Sequence, residues 1–158
     1  MIYDATISEC KKYRYRLSRV WNKNLPIICF IMLNPSTADD QKDDRTINRI
    51  INFAKSWGFG GVVVVNLYGF RSSKPKDLRQ QQDPEGPDNR RHVTEVIGEA
   101  DMVIYAWGNN KREPNWLRNL VENPYCIDIS KTGIPKHPLY LKSILQPKPY
   151  RVAAFLPT

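Results

Sequence analysis

The sequence predicts an α/β fold: a three-layer α/β/α sandwich around a central, mainly parallel four-stranded sheet, plus an N-terminal β-hairpin. Three observations predict it. Short runs that are apolar on both faces recur along the chain, as in strands covered by helices above and below. Segments with apolar residues at helical spacing separate those runs, and no repeat, low-complexity tract or linker interrupts the alternation. Strands alternating with amphipathic helices imply right-handed crossovers.

The elements follow in order. Residues 2–7 pair with residues 13–20, where Tyr13, Tyr15 and Leu17 alternate with Lys12, Arg14 and Arg16, giving one apolar face and one solvated face. Residues 26–33 (PIICFIML) form a buried strand that ends at Asn34-Pro35, because proline cannot donate to a ladder. Ile47, Ile50, Ile51, Ala54 and Trp57 recur at helical intervals, with Asp43 or Asp44 capping the start and Gly58 closing the end. Residues 62–67 (VVVVNL) are a second buried strand, and the polar stretch 71–87 reads as a long surface loop. Val93, Val96, Ile97 and Ala100 mark a helix preceded by Pro87 and Asp88, and residues 102–107 (MVIYAW) are a third strand. Pro114 opens another helix with Trp116, Leu117, Leu120 and Val121 inward; residues 125–129 make a fourth strand, and residues 152–155 a further one.

A chain of 158 residues supports one core of ordinary size, so residues 1–158 are read as a single domain. No apolar run approaches the roughly 18 residues of a membrane span, and no basic segment followed by an apolar signal core opens the chain. The expectation is a soluble, cytoplasmic protein with no membrane partner. Cys10, Cys29 and Cys126 are odd in number and scattered, which indicates neither a disulfide framework nor a zinc site. No metal or cofactor is expected. A formal charge of +8 favours polyanionic partners, because a basic surface concentrates and steers them.

In parallel sheets, ligands bind beyond the carboxyl ends of the strands. Those ends carry Asn34, Asn66 and Asn109, whose amides both donate and accept and so match the edge of a nucleobase. Pro35, Ser36 and Thr37 lead toward a helix and resemble an anion cradle, although without the glycines of a phosphate-binding loop. Asp39, Asp40, Asp43 and Asp44 offer a carboxylate base or a metal ligand, with a solvated loop and helix cap as the simpler reading for at least three of them. His137, ahead of Pro138 in a Lys/Gly loop, is the better catalytic histidine; His92, beside Arg90 and Arg91, reads as solvated or capping. Tyr68, Phe70 and Trp107 stand beside the crevice as stacking candidates.

With these motifs in place, the sequence resembles the family DUF1643 over roughly residues 13–150, on four ordered blocks: FIMLNPSTADDQKDDRTINRI, VVVVNLYGFRSSKPKDL, YAWGNN and GIPKHPLYL. That family is similar in turn to the uracil-DNA glycosylase superfamily, of the mismatch-specific uracil/thymine type. The resemblance implies a uracil-DNA-glycosylase-like domain in which Asn34 positions the attacking water and Asn66 reads the base edge. Trp107, Gly108 and Asn109 match its WGN segment, and His137 and Pro138 its HPS segment, with His137 polarising a base carbonyl. Leu139 stands where that segment has serine, and three cysteines cannot hold the iron–sulfur cluster of some relatives.

The functional expectation is a nucleobase-recognising protein, a DNA glycosylase-like hydrolase that cleaves the N-glycosidic bond of a flipped mismatched, damaged or modified base. Asn34 and His137 are its expected catalytic residues. Pro35, Ser36, Thr37, Asp44, Asn66, Tyr68, Phe70, Trp107, Gly108, Asn109 and Pro138 are its expected base-binding set. Arg71, Lys74, Lys76, Lys136 and Lys142, with Arg79, would hold the phosphates of DNA. Two rivals stand beside it: a nucleoside or nucleotide hydrolase or transferase using Asp39 or Asp44 as base, and a binding module for a nucleotide or modified base that cleaves nothing.

Overall fold

The computed structural model describes residues 1–151, so the strand expected at residues 152–155 lies outside the described residues. Seven strands form one mixed sheet: β1 (Ile2–Ile7), β2 (Arg14–Val20), β3 (Ile27–Met32), β4 (Gly61–Asn66), β5 (Met102–Tyr105), β6 (Tyr125–Cys126) and β7 (Lys148–Pro149). Their spatial order is β1-β2-β4-β3-β5-β6-β7. β3 lies between β4 and β5, parallel to both, with Ile27 opposite Gly61, Met32 opposite Asn66 and Ile31 opposite Tyr105. β6 is parallel to β5, whereas β1, β2 and β7 run antiparallel to their neighbours.

The apolar runs explain the centre. Alternate residues of a strand face opposite sides, so β3 feeds two cores. Ile28, Phe30 and Met32 pack with Ile47, Ile50, Ile51 and Ala54 of helix α1 (Arg45–Ser56). Cys29, Ile31 and Leu33 pack with Val93 and Val96 of helix α2 (Asn89–Glu99) and with Leu117 of the single-turn helix α3 (Asn115–Arg118). Asp44, not Asp43, caps α1: its Oδ1 accepts from the Ile47 amide at 2.9 Å, one of the orphan donors at a helix start.

Several expectations are corrected. The N-terminal hairpin forms as expected and also extends the sheet, because β2 pairs with β4 through Leu17 opposite Val64. Consequently β2 is internal, and its polar residues are not all solvated: Arg14 and Arg19 are buried. β6 has two residues, not five, because the chain doubles back after it, with Ile129 bridging Pro135. α3 is one turn, and Leu120 is exposed. Residues 71–87 are not wholly irregular, since Pro75–Gln80 forms a 3-10 turn that buries Leu78. His92 is neither solvated nor a cap: its ring stacks on Tyr15 at 5.1 Å and its Nδ1 accepts from Arg16 Nε at 3.2 Å. No helix among the described residues is long and apolar enough to cross a membrane.

Candidate functional site

Parallel strands bring their carboxyl ends to one edge of the sheet. There Met32 ends β3, Asn66 ends β4, and the loop after β5 carries Asn109. Between these ends and the start of α1 lies a cavity of about 310 Å³. Asn34, Pro35, Ser36, Asp44, Asn66, Asn109 and His137 all line it.

The amides differ in what they have left to offer. Asn34 Nδ2 donates to three backbone carbonyls, those of Pro35, Phe70 and Ser72, at 3.2, 3.3 and 2.9 Å. It ties two loops together, and only its Oδ1 remains for a ligand. Asn66 is the opposite: it is 1% exposed, and among the described residues neither its Nδ2 nor its Oδ1 has a hydrogen-bond partner. Buried amides are almost always paired, and leaving one unpaired costs about 1–3 kcal/mol per group. Asn89, buried on α2, holds this position by donating to the backbone carbonyls of Asn66 and Leu67 at 2.8 and 3.3 Å. Asn109 has φ +55° and donates Nδ2 to the Trp107 carbonyl at 2.7 Å, closing a left-handed turn that asparagine tolerates.

His137 closes the opposite wall. Its Nδ1 accepts from the Leu139 amide at 3.2 Å, so in the neutral ring the proton sits on Nε2 as a donor. Burial holds its pKa below the usual imidazole range, against a smaller opposing pull from Asp44. Gly108, at φ +57°, backs the ring: a Cβ there would come within 3.1 Å of His137 Cβ. Asp44 lines the cavity as its one carboxylate, with Oδ1 committed to the helix cap.

Arg14 also lines the cavity, and no sequence pattern indicated it. Among the described residues only its Nη1 is engaged, by the Ala38 carbonyl at 3.0 Å, and its buried Nε has no partner. Loss of hydration brings its pKa down to about 10, so it stays charged near neutrality. Alternation places Arg14 with Arg16 on the solvated face of β2; the register shift at this end of β1, where Thr6 faces Arg16 and Ile7 faces Arg14, breaks that alternation and Arg14 is buried. Ser72, Ser73 and Thr46 are further lining residues absent from the sequence expectation.

Other expected residues lie elsewhere. Trp107 is fully buried, its Nε1 bound to the Lys111 carbonyl at 2.6 Å, and so cannot stack on a ligand. Phe70 meets Tyr13 edge-on at 6.2 Å, Lys111 lies over the Tyr68 ring at 5.6 Å, and neither aromatic lines the cavity. Pro138 is buried behind His137, with its carbonyl 3.4 Å from Arg49 Nε. Thr37 and Arg71 line a neighbouring depression. Lys136 pairs with Asp128 at 3.2 Å, and Lys74, Lys76, Arg79 and Lys142 are exposed outside the cavity. Among the described residues, no three His, Cys, Asp or Glu side chains form a metal-binding group.

Fold and site together define an α/β protein with a polar, amide-lined cavity at the carboxyl edge of its parallel strands. The chain belongs to DUF1643, a family of proteins of unknown function, whose model matches residues 14–139. No curated protein and no solved structure matches it.

Proposed function

We propose that the cavity receives a nucleobase, and that the protein is a DNA glycosylase-like hydrolase acting on a mismatched, damaged or modified base. The observation that carries this reading is Asn66, a buried amide lining the cavity with a donor and an acceptor both unanswered. A base edge that presents a ring N–H beside a carbonyl answers both in one bidentate contact. The finer architecture belongs to the same reading: α1 and α2 on opposite faces of the parallel strands as a three-layer, uracil-DNA-glycosylase-like sandwich.

In this account the base enters flipped from its strand, at a cost of about a few kcal/mol that favours bases already poorly paired. His137 donates from Nε2 to the ring as negative charge develops on the departing base, and Arg14 adds a fixed positive charge to the same cavity. Preorganised donors of this kind carry most of the stabilisation in such sites. Asn34 lacks the basicity to take a proton, so Asp44 activates the water that attacks the sugar carbon, and Asn34 Oδ1 helps to orient it. The N-glycosidic bond breaks, its electron pair leaves with the base, and the water oxygen closes the sugar as a hemiacetal.

A second reading has its own support. Asn34 Nδ2 is committed to three carbonyls and Asp44 to a helix cap, which suits a module that binds a nucleotide or modified base without turnover. One experiment separates the two. The protein is incubated with duplexes carrying uracil, mispaired thymine or a hydroxymethylated base, and abasic sites are quantified for wild type, Asp44→Asn, Asn66→Ala and His137→Ala. Base release lost in all three variants supports the glycosylase. Binding that depends on Asn66 with no base release supports the module, and release from mononucleotides alone moves the reaction to free nucleotides.

A further inference from the structure

Beside the cavity lies a second, shallower depression of about 330 Å³ that shares Ser36, Ser72 and Ser73 with it as a common wall. It is also lined by Lys11, Lys42 and Arg71, with Asp39 as the one carboxylate among its lining residues. Asp39 directs Oδ1 into its own turn, accepting from the Gln41 and Lys42 amides at 2.9 Å each. Three cations against one carboxylate leave the depression positive.

Its backbone is held firmly. Lys11 sits in a left-handed turn at φ +66° whose amide donates to the Ser8 carbonyl at 2.9 Å. The Arg71 amide donates to the Lys12 carbonyl at 2.9 Å, and the Lys42 carbonyl accepts from the buried Arg19 at 3.1 Å. A second, independent observation comes from the neighbouring cavity. Arg14 is 2% exposed, makes no ion pair among the described residues, and leaves its Nε unanswered while lining the cavity. Its charge, sunk in a low-dielectric wall, adds to that of Arg71 and raises the potential where cavity and depression meet.

We propose that the Lys11–Lys42–Arg71 depression is a phosphate subsite, receiving the phosphate attached to the nucleoside unit held in the neighbouring cavity. The inference rests on the nucleobase reading of that cavity and adds what the ligand must carry: an oxyanion one sugar away from the base. A phosphate there accepts charge-assisted hydrogen bonds from both lysines and from the forked guanidinium. The chemistry is the same for the terminal phosphate of a free nucleotide and for a phosphodiester of a strand.

The test uses the full chain and a Lys11→Ala/Lys42→Ala/Arg71→Ala variant, whose substitutions all lie at the surface and leave the cavity lining intact. Backbone amide shifts are followed by NMR with inorganic phosphate, with the common deoxynucleosides and with their 5′-monophosphates. Affinity for a short mixed-sequence single strand is measured across a salt series. Wild type is expected to bind monophosphates about tenfold or more tightly than nucleosides, and the triple variant to lose that preference. For the strand, the slope of log affinity against log salt is expected to shrink by about 2, three contacts at about 0.7 each. Loss of the monophosphate preference alone assigns the subsite to a free nucleotide, and loss of slope alone to a strand. The proposal is overturned if the triple variant matches wild type in both. Phosphate shifting the amides of residues 11, 42 and 71 while no nucleoside perturbs the cavity upholds the subsite and removes the nucleobase reading instead.

Discussion

Two arginines five residues apart on β2 are both buried, and they are used in opposite ways. Arg19 is saturated: it pairs with Asp43 at 2.7 Å and donates to the carbonyls of Ser18, Asp39 and Lys42. Arg14 has one carbonyl, and its buried Nε has no partner among the described residues. The same contrast separates Asn34, whose Nδ2 serves three carbonyls, from Asn66, which serves none. A buried polar group that is fully answered holds the fold, whereas in the proposed reading one left unanswered at a cavity wall is open to a ligand. That difference, and not burial, distinguishes scaffold from site here.

The contrast breaks most readily at the arginines. Arg19→Met strands Asp43 and the carbonyls of Ser18, Asp39 and Lys42 and is expected to destabilise the protein by about 3 kcal/mol in chemical denaturation. Arg14→Met, which removes a group already half unanswered, is expected to cost less than about 1 kcal/mol while abolishing ligand binding. Equal stability losses would erase the distinction. The asparagines repeat it on a smaller scale: Asn34→Ala is expected to cost about 2 kcal/mol, and Asn66→Ala to leave stability within about 1 kcal/mol of wild type.

Gly108→Ala sharpens the comparison from the other wall. A side chain at φ +57° against His137 is expected to cost about 1–2 kcal/mol and to weaken binding by displacing the ring, both readable from one thermal and one binding series. The smallest effect expected is with pH. Both His92 and His137 are held below the ordinary imidazole pKa by burial, His92 further by Arg16 and Arg91. The unfolded chain therefore takes up protons first. Their contribution to stability is complete above the ordinary value of about 6.5 and declines as pH falls below it. Denaturation midpoints between about pH 7.5 and 5 should fall on acidification, and His137→Gln should flatten part of that decline.

Much of this was legible in the sequence for a physical reason. The runs 26–33, 62–67 and 102–107 are apolar on both faces, which only covered strands tolerate, and Asp44 ahead of Ile47 carries its own capping chemistry. Asn34, Asn66, Asn109 and His137 meet at one cavity because parallel strands share a carboxyl edge. Other features depended on contacts between distant segments. Alternation assigns Arg14 to solvent, and nothing local reveals that residues 38–42 turn carbonyls toward Arg14 and Arg19. Trp107 reads as a stacking residue at a strand end, yet the Lys111 carbonyl and Tyr105, whose ring lies 4.5 Å away, hold it inside. The basic stretch 71–79 suggested phosphate contacts along its length, but only Arg71 of those cations lines a depression beside the cavity.

The most direct measurement is the side-chain amide resonance of Asn66 in the wild-type protein, recorded as nucleosides and base-modified oligonucleotides are added. A ligand that occupies both of its empty hydrogen-bond positions moves the Nδ2 protons downfield and protects them from exchange, while the Asn34 amide stays where it was. If Asn66 is unmoved by every nucleobase ligand at millimolar concentration, the cavity is not a base site.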